Sequence, residues 1–228
     1  MEQSGPRGSV RAAWVAAALA VVVVLPLGLL ISADWDPLID VDVAISDELV
    51  VPGRGDEVDV LRFLTGGGDA AVRIVVLAPL AGWLAWQRKW RLLVLVVASG
   101  ALIGAVNELL KSIFDRPRPS YDGTIEAIGY SYPSGHASGT AAMVTVLVLV
   151  FWPVVSEAWR WVLAALAIAA AAVVGYTRVA LGVHFSSDVV AGWCLGVAWV
   201  LLLAVVLRVW PGQPDALPPR TRSVGSDR

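Results

Sequence analysis

Long apolar runs, separated by short polar stretches, constrain this chain more than any other feature of its sequence. A helix needs about 20 apolar residues to cross a hydrocarbon layer about 30 Å thick, and it satisfies its own backbone hydrogen bonds there. Six runs approach that length, over approximately residues 12-32, 70-87, 92-110, 137-155, 161-178 and 185-207. We therefore predict an all-α fold, an integral membrane bundle of six transmembrane helices in one domain of residues 12-210.

The composition favours a membrane protein over a soluble or nucleic-acid-binding one. Charged residues make up 16% of the chain, whereas a soluble domain has about 25%. Most of the 11 tryptophans lie near the ends of the runs, as aromatic residues do at membrane interfaces. The formal net charge is -2 and the pI is about 5.7, so we expect no nucleic-acid partner, which would require a basic face. Cys194, the only cysteine, lies in an apolar run and is expected to pack there.

The two ends of the chain are predicted to lie in the cytoplasm. Residues 1-11 form a short N-terminal segment, and residues 211-228 mix Pro, Gly, Ser and Arg without apolar periodicity, which indicates a disordered tail. The first run is also compatible with a signal peptide, because Arg7 and Arg11 precede it. We favour an uncleaved helix, since the run is longer than the 7 to 15 residues typical of a signal sequence and no Ala-x-Ala site follows.

The distribution of basic residues agrees with this orientation. With a cytoplasmic N-terminus, ten of the 17 Lys and Arg residues lie in inside segments, as the positive-inside rule favours. Residues 33-69 are rich in Asp and contain Gly66, Gly67 and Gly68. They are predicted to form an extracytoplasmic connection with a surface-lying helix that ends in a flexible hinge.

Polar residues concentrate in three short segments, at 111-119, 133-136 and 178-188. In the predicted orientation all three segments face outside, and both histidines of the chain, His136 and His184, belong to them. Ionisable groups near membrane helices are costly, and their presence there is typical of a functional site. The sequence thus predicts one polar site at the outer ends of several helices.

These segments resemble the type 2 phosphatidic acid phosphatase (PAP2) superfamily, whose pattern is Lys-x6-Arg-Pro, Pro-Ser-Gly-His and Ser-Arg-x5-His-x3-Asp. All three motifs are present in order, at Lys111 with Arg118-Pro119, at residues 133-136, and at Arg178, His184 and Asp188. The resemblance implies a helical fold of the acid phosphatase-haloperoxidase type. It also implies a membrane lipid phosphatase acting on phosphatidic acid, phosphatidylglycerol phosphate or polyprenyl phosphates or diphosphates.

Five residues are candidates for binding the substrate phosphate. Arg118 and Arg178 carry forked N–H donors, and Lys111 adds a compact charge. Ser134 and Gly135 precede the fourth run, where a helix N-terminus attracts anions and glycine permits close approach. Because these groups can stabilise the transferring phosphoryl group, we predict no metal and no cofactor.

Three residues are candidates for catalysis. His184 and Asp188 are four residues apart, so on a helix the carboxylate can accept the imidazole N–H and leave the other nitrogen free to attack phosphorus. The resemblance implies that this attack gives a phosphohistidine. His136 is the predicted general acid, which protonates the departing lipid oxygen and then activates water.

Other polar residues receive less direct roles. We expect Asp115 and Arg116 to form a loop pair exposed to solvent. The Glu108 carboxylate is expected to pair with Lys111. The Arg73 side chain is expected to snorkel to the membrane interface. Thr177 stands where the family usually has Ser, and its hydroxyl can still bond a phosphate oxygen.

Three other functions stay open. A lipid phosphotransferase would use the same phosphohistidine and pass the phosphate to another lipid. A vanadium haloperoxidase shares the anion site, but such relatives are typically soluble. A non-catalytic lipid-binding or scaffold protein would not need intact His136, His184 and Asp188. The lipid, the oligomeric state and the role of residues 33-69 are not determined by the sequence.

Overall fold

A computed structural model describes residues 6–121 and 127–210, and within those ranges all regular structure is helical. The predicted tail, residues 211-228, lies outside the described residues. The helices are α1 (Pro6–Ser32), α2 (Asp36–Leu49), α3 (Asp56–Thr65), α4 (Ala70–Trp86), α5 (Trp90–Phe114), α6 (Gly135–Phe151), α7 (Glu157–Ala180) and α8 (Ser186–Val206), and a 3-10 turn, Gly66–Gly68, precedes α4.

Each of the six predicted apolar runs is helical, as α1 and α4 to α8. Three described helices, α5, α7 and α8, are long and apolar enough to cross a membrane. The number rises to five if each of two bent pairs counts as one span: Val21–Ser32 with α2, bent by 97°, and Asp56–Gly68 with α4, bent by 42°. The remaining helix, α6, is apolar and has 17 residues. The chain is therefore a helical protein with several candidate membrane spans.

α6 and α8 pack closely in the middle of the bundle because α8 carries glycines at two successive turns. A Cβ added to Gly192 would lie 2.7 Å from the carbonyl oxygen of Ser134, and one added to Gly196 would overlap the carbonyl oxygen of Ser138. Small residues four apart let two helix backbones approach in this way. The contact places the N-terminal ends of α6 and α8 side by side.

The largest apolar core occupies the end of the bundle opposite to those N-termini. It contains Leu84 at the end of α4, Leu92 at the start of α5, Val150 at the end of α6 and Ala204 at the end of α8. These side chains are at most 1% exposed, so this end is tightly packed. The polar residues predicted to form a site are left to the other end.

Residues 33-69 contain two helices, α2 and α3, rather than the single helix expected. The predicted flexible hinge at Gly66–Gly68 is a 3-10 turn, and Gly68 is buried. A Cβ on Gly68 would lie 2.8 Å from Val174 and 2.9 Å from His136. Gly68 therefore allows this turn to pack closely against α6 and α7, because a larger side chain would not fit there.

Candidate functional site

The three polar segments meet at one end of the bundle, as the sequence predicts. The end of α5 carries Lys111, the N-terminus of α6 carries Ser134 and His136, and the end of α7 carries Arg178. His184 lies in the short connection between α7 and α8, and Asp188 lies in the first turn of α8. α2 and α3 pack against α7 and α8 at this same end. The site is therefore covered by two helices that carry polar residues.

The His184 ring lies between a carboxylate and a guanidinium group. Its Nδ1 is 3.4 Å from Asp188 Oδ2, and its Nε2 is 3.2 Å from Arg118 Nη1. Because the carboxylate accepts and the guanidinium donates, this arrangement assigns the proton to Nδ1 and the lone pair to Nε2. Burial lowers the pKa of His184 to about 4, although Asp188 acts in the opposite direction. At neutral pH the imidazole is uncharged, as a nucleophile must be.

Asp188 is fully buried and is held by more than the histidine. Its Oδ2 also accepts the backbone N–H of Phe185 at 2.9 Å, and its Oδ1 accepts from Arg116 Nη1 at 2.7 Å. A buried carboxylate needs such partners because an unpaired charge away from water is very unfavourable. The carboxylate that faces His184 is thus fixed on both of its oxygens.

The sequence interpretation of Arg116 was wrong. Arg116 does not pair with Asp115 at the surface: its side chain is 6% exposed and donates to Asp42 Oδ2 of α2 at 2.8 Å as well as to Asp188. Asp115 instead adopts a left-handed conformation that ends α5. The physical reason is that two buried carboxylates from distant segments need one cation between them.

Asp42 ties α2 to the start of α8. In addition to Arg116, it accepts hydrogen bonds from the Ser186 hydroxyl at 2.7 Å, from the Ser187 backbone N–H at 2.9 Å and from the Ser187 hydroxyl. The side chain of Asp42 is 1% exposed. This network gives residues 33-69 a structural role that the sequence left open.

Two predicted phosphate-binding residues have buried polar atoms without a partner among the described residues. Ser134 Oγ, at the N-terminus of α6, and Arg178 Nε are both unpaired, while Arg178 Nη1 donates to Thr65 Oγ1 at 2.9 Å. Buried polar atoms are normally satisfied, and unsatisfied ones call for an explanation such as a ligand. Together with the free N–H groups of the first turn of α6, they form a set of donors suited to an anion.

Arg118 is anchored by the loop before α6 and by the connection between α7 and α8. Its Nε donates to Gly129 O at 2.9 Å and its Nη1 to Val183 O at 2.7 Å, and burial lowers its pKa. The same Nη1 faces His184. A guanidinium group in this place can donate to a phosphate oxygen beside the imidazole.

Lys111 is connected to the site less directly. Its Nζ lies 3.0 Å from Glu108 Oε1, which confirms the predicted pair, and no described contact joins it to either histidine.

Gly135 leaves space for Asn107, whose Oδ1 would be 3.3 Å from an added Cβ. Asn107 is buried and donates to Ser138 Oγ at 3.1 Å, so it supports α6 rather than Lys111.

His136 has a partner that the sequence did not suggest. Its Nε2 is 2.9 Å from Asp69 Oδ1, a residue that directly precedes α4. The His136 side chain is 29% exposed and that of Asp69 is 55% exposed. Asp69 therefore orients the imidazole from the rim of the site.

Two further expectations differ from the structure. The hydroxyl of Thr177 donates to Val174 O at 2.7 Å within α7, so it is not directed at a ligand. Arg73 does not snorkel to an exposed position: it is 9% exposed and its Nη1 donates to Gly68 O at 3.0 Å. Because α4 begins at Ala70, Arg73 lies in its first turn, next to the 3-10 turn Gly66–Gly68.

Sequence reasoning thus missed Asp42, Asp69, Thr65 and Arg116 as parts of the site. For the two carboxylates, Asp42 and Asp69, the available signal was the concentration of Asp residues in the segment before α4, which is unusual beside apolar spans. The signal did not specify which carboxylates turn inward.

Comparison with known proteins gives two related sequences. The chain is 34% identical over 149 residues to undecaprenyl-diphosphatase of Sulfolobus acidocaldarius, a match that covers 63% of this chain and 66% of that protein. It is 31% identical over 128 residues to phosphatidylglycerophosphatase B of Bacillus subtilis, covering 54% and 61%. The matched region thus spans slightly less than two thirds of each relative. Both relatives are named as phosphatases.

Two solved structures are similar. The crystal structure of a transmembrane PAP2 type phosphatidylglycerolphosphate phosphatase from Bacillus subtilis superposes with a TM-score of 0.66 at 25% identity, covering 81% of this chain and 93% of that one. Aquifex aeolicus LpxE gives a TM-score of 0.50 at 27% identity, covering 66% and 87%. The sequence profile of the PAP2 superfamily matches residues 88–210, which include every predicted site residue. The chain belongs to the PAP2 superfamily.

Proposed function

We propose that this chain is a membrane lipid phosphatase that hydrolyses a lipid phosphate monoester or diphosphate through a phosphohistidine on His184. The observation that carries the proposal is the position of His184, with Nδ1 directed at Asp188 and Nε2 directed at Arg118. An imidazole held in this tautomer presents its lone pair where a bound phosphate would replace the guanidinium contact. Phosphatidic acid, phosphatidylglycerol phosphate and polyprenyl phosphates or diphosphates are the candidate substrates.

The proposed reaction has two steps. In the first, Nε2 of His184 attacks phosphorus, the phosphorus–oxygen bond to the lipid breaks, and His136 protonates the departing oxygen. In the second, His136 takes a proton from water, and the water oxygen displaces His184 to release inorganic phosphate. Arg118, Arg178, Lys111, Ser134 and the N–H groups at Gly135 stabilise the charge of the transferring group.

We also propose that the site faces the extracytoplasmic side of the cell membrane and that six helices, α1 and α4 to α8, cross it. The 17 residues of α6 give a length of about 25 Å, which is short for a span. A lipid headgroup then reaches the site sideways from the outer leaflet.

The chemistry is tested with the purified full chain in detergent, with a chelator present, on a panel of glycerolipid and polyprenyl phosphates and diphosphates. We expect inorganic phosphate release by the parent protein and none by His184→Ala, and we expect acid-labile labelling of the parent by substrate carrying labelled phosphate. Release by His184→Ala at the parental rate would refute the assignment. Phosphorylated acceptor lipid in place of free phosphate would identify a phosphotransferase.

The orientation is tested by labelling single cysteines in intact cells. In a Cys194→Ala background, Ile128→Cys and Gln87→Cys place thiols at exposed positions on opposite ends of the bundle. A membrane-impermeant maleimide should label the first and leave the second unlabelled until the cells are opened. The reverse result would mean that the site faces the cytoplasm.

A further inference from the structure

Arg73 carries a buried charge that the proposed chemistry does not use. The residue is 9% exposed, its Nε is buried without a hydrogen-bond partner among the described residues, and Nη1 donates only to the carbonyl oxygen of Gly68. No carboxylate in the described part of the chain lies within 4.0 Å of this guanidinium group. A buried charge is normally paired, so this guanidinium group is a candidate place for an anion to bind.

That place adjoins His136 on the side of α6 that faces α4. A Cβ added to Gly139, one turn after His136, would overlap the Arg73 guanidinium. Gly68, which accepts the hydrogen bond from Arg73, also packs against the His136 ring. α8, which follows His184, packs on α6 through Gly192 near Ala137 and Ser138. Arg73 and the His184 segment therefore approach His136 from different sides.

An apolar groove begins at Arg73 and continues between α4 and α5. It has a volume of about 530 Å³, and its lining includes Ile74, Leu77, Val96 and Gly104. Arg73 is the one charged side chain among the described residues that line it. A cation at the head of an otherwise apolar groove matches an amphiphile that has an anionic group followed by a hydrocarbon chain.

We propose that Arg73 binds the inner phosphate of a lipid diphosphate whose chain lies in this groove, and that it makes the site select diphosphates over monophosphates. The inference rests on the proposed function. His184 Nε2 forms a bond to the terminal phosphorus, the bond from that phosphorus to the bridging oxygen breaks, and the bridging oxygen leaves on the inner phosphate of the lipid. Hydrolysis of the phosphohistidine by water then releases inorganic phosphate.

The position of Arg73 fits this leaving group. In the proposed reaction His136 is beside the bridging oxygen, so the inner phosphate lies next to His136. Arg73 is next to His136 as well, since both side chains pack against Gly68. A lipid monophosphate has an uncharged hydroxyl at that place after cleavage and gains nothing from the guanidinium. The Asp69 carboxylate, bonded to His136 at 2.9 Å, is occupied by the imidazole.

The test compares one polyprenyl diphosphate with the monophosphate of the same chain length, using the purified full chain in detergent. The kcat/KM of the parent, Arg73→Gln, Arg73→Lys and the control Arg62→Gln is measured, with the lipid products separated by chromatography. Arg62 is an exposed residue of α3 that pairs with Asp59. Because a hydrogen bond to a charged group contributes about 1.5–3 kcal/mol, Arg73→Gln should lower kcat/KM about tenfold or more for the diphosphate and less than about twofold for the monophosphate.

Arg73→Lys retains a charge without the forked donors, so its ratio of the two kcat/KM values should lie between those of the parent and Arg73→Gln. Arg62→Gln should leave the ratio unchanged. If a folded Arg73 variant loses the same factor in kcat/KM on both substrates, so that the ratio is unchanged, the role of Arg73 is overturned. A parent protein that hydrolyses only monophosphates would also overturn it and leave the phosphatase proposal intact. A parent that hydrolyses neither lipid would instead remove the proposed function itself.

Discussion

Arg116 donates a hydrogen bond to the carboxylate that faces His184: its Nη1 lies 2.7 Å from Asp188 Oδ1, and Asp188 Oδ2 lies 3.4 Å from His184 Nδ1. Arg116 and Asp188 are 72 residues apart in the sequence. The Arg116 guanidinium also stacks over the Phe185 ring, with its centre 4.1 Å from the ring centroid. The orientation of the proposed nucleophile therefore depends on a residue outside the three motifs' fixed positions.

Arg116→Gln should lower both stability and turnover. Removing one partner of a buried ion pair costs about 3–5 kcal/mol, because Asp42 and Asp188 would then be left without a cation. We expect a clear fall in the melting temperature in detergent, together with a lower kcat at an unchanged lipid affinity. The matched control is Arg62→Gln, which breaks an exposed pair worth at most about 1 kcal/mol. Equal melting temperatures for the two variants would contradict the buried role of Arg116.

Asp69→Asn should reduce kcat by a modest factor. A partly exposed pair contributes about 1 kcal/mol, so the loss of the Asp69–His136 contact should slow turnover by about fivefold. The effect should be smaller on substrates with an acidic leaving group, since those need less protonation. Rates for alkyl and aryl phosphates distinguish this from a structural effect, which would lower both equally.

Stability should decrease with acidity in a window set by His184. The folded-state pKa is about 4, below the value of about 6.5 expected for an unfolded chain, so the unfolded state binds more protons between these values. The stability contributed by the neutral imidazole is full above about pH 6.5 and is lost as the pH falls towards 4. Melting temperatures of the parent and His184→Asn, measured in detergent from pH 7 to pH 4.5, should converge as the pH falls. A constant difference between them would show that His184 is not buried in its neutral form.

Gly196→Ala should separate α8 from α6. The added methyl group would lie 2.8 Å from the backbone nitrogen of Ala142 and would overlap the carbonyl oxygen of Ser138. Overpacking of this kind costs about 1–3 kcal/mol, and the movement should also lower activity by displacing His184 relative to His136. The control is Gly82→Ala, where nothing lies within 4 Å of the new Cβ. Loss of stability in the control alone would argue against the close contact of the two helices.

The helices themselves were predictable from the sequence because the information for a span is local. Each apolar run that suggested a span is a helix, and the predicted ends of α4 and α8 differ from the observed ones by a residue. The Lys111–Glu108 pair was predictable for the same reason, since residues three apart on a helix are neighbours. Length alone does not fix the number of spans, because α6 has 17 residues and two helix pairs are bent.

The sequence by itself determined the helical membrane class, the family, and the proposed site residues, because apolar length and motif spacing are properties of short segments. Only the tertiary structure decided which polar residues support that site. Asp42 meets Arg116 across 74 residues, Asp69 meets His136 across 67, and Thr65 meets Arg178 across 113. Such pairs form because buried charges must find partners, and which partners are within reach depends on how closely α6, α7 and α8 pack, not on the sequence around any one residue.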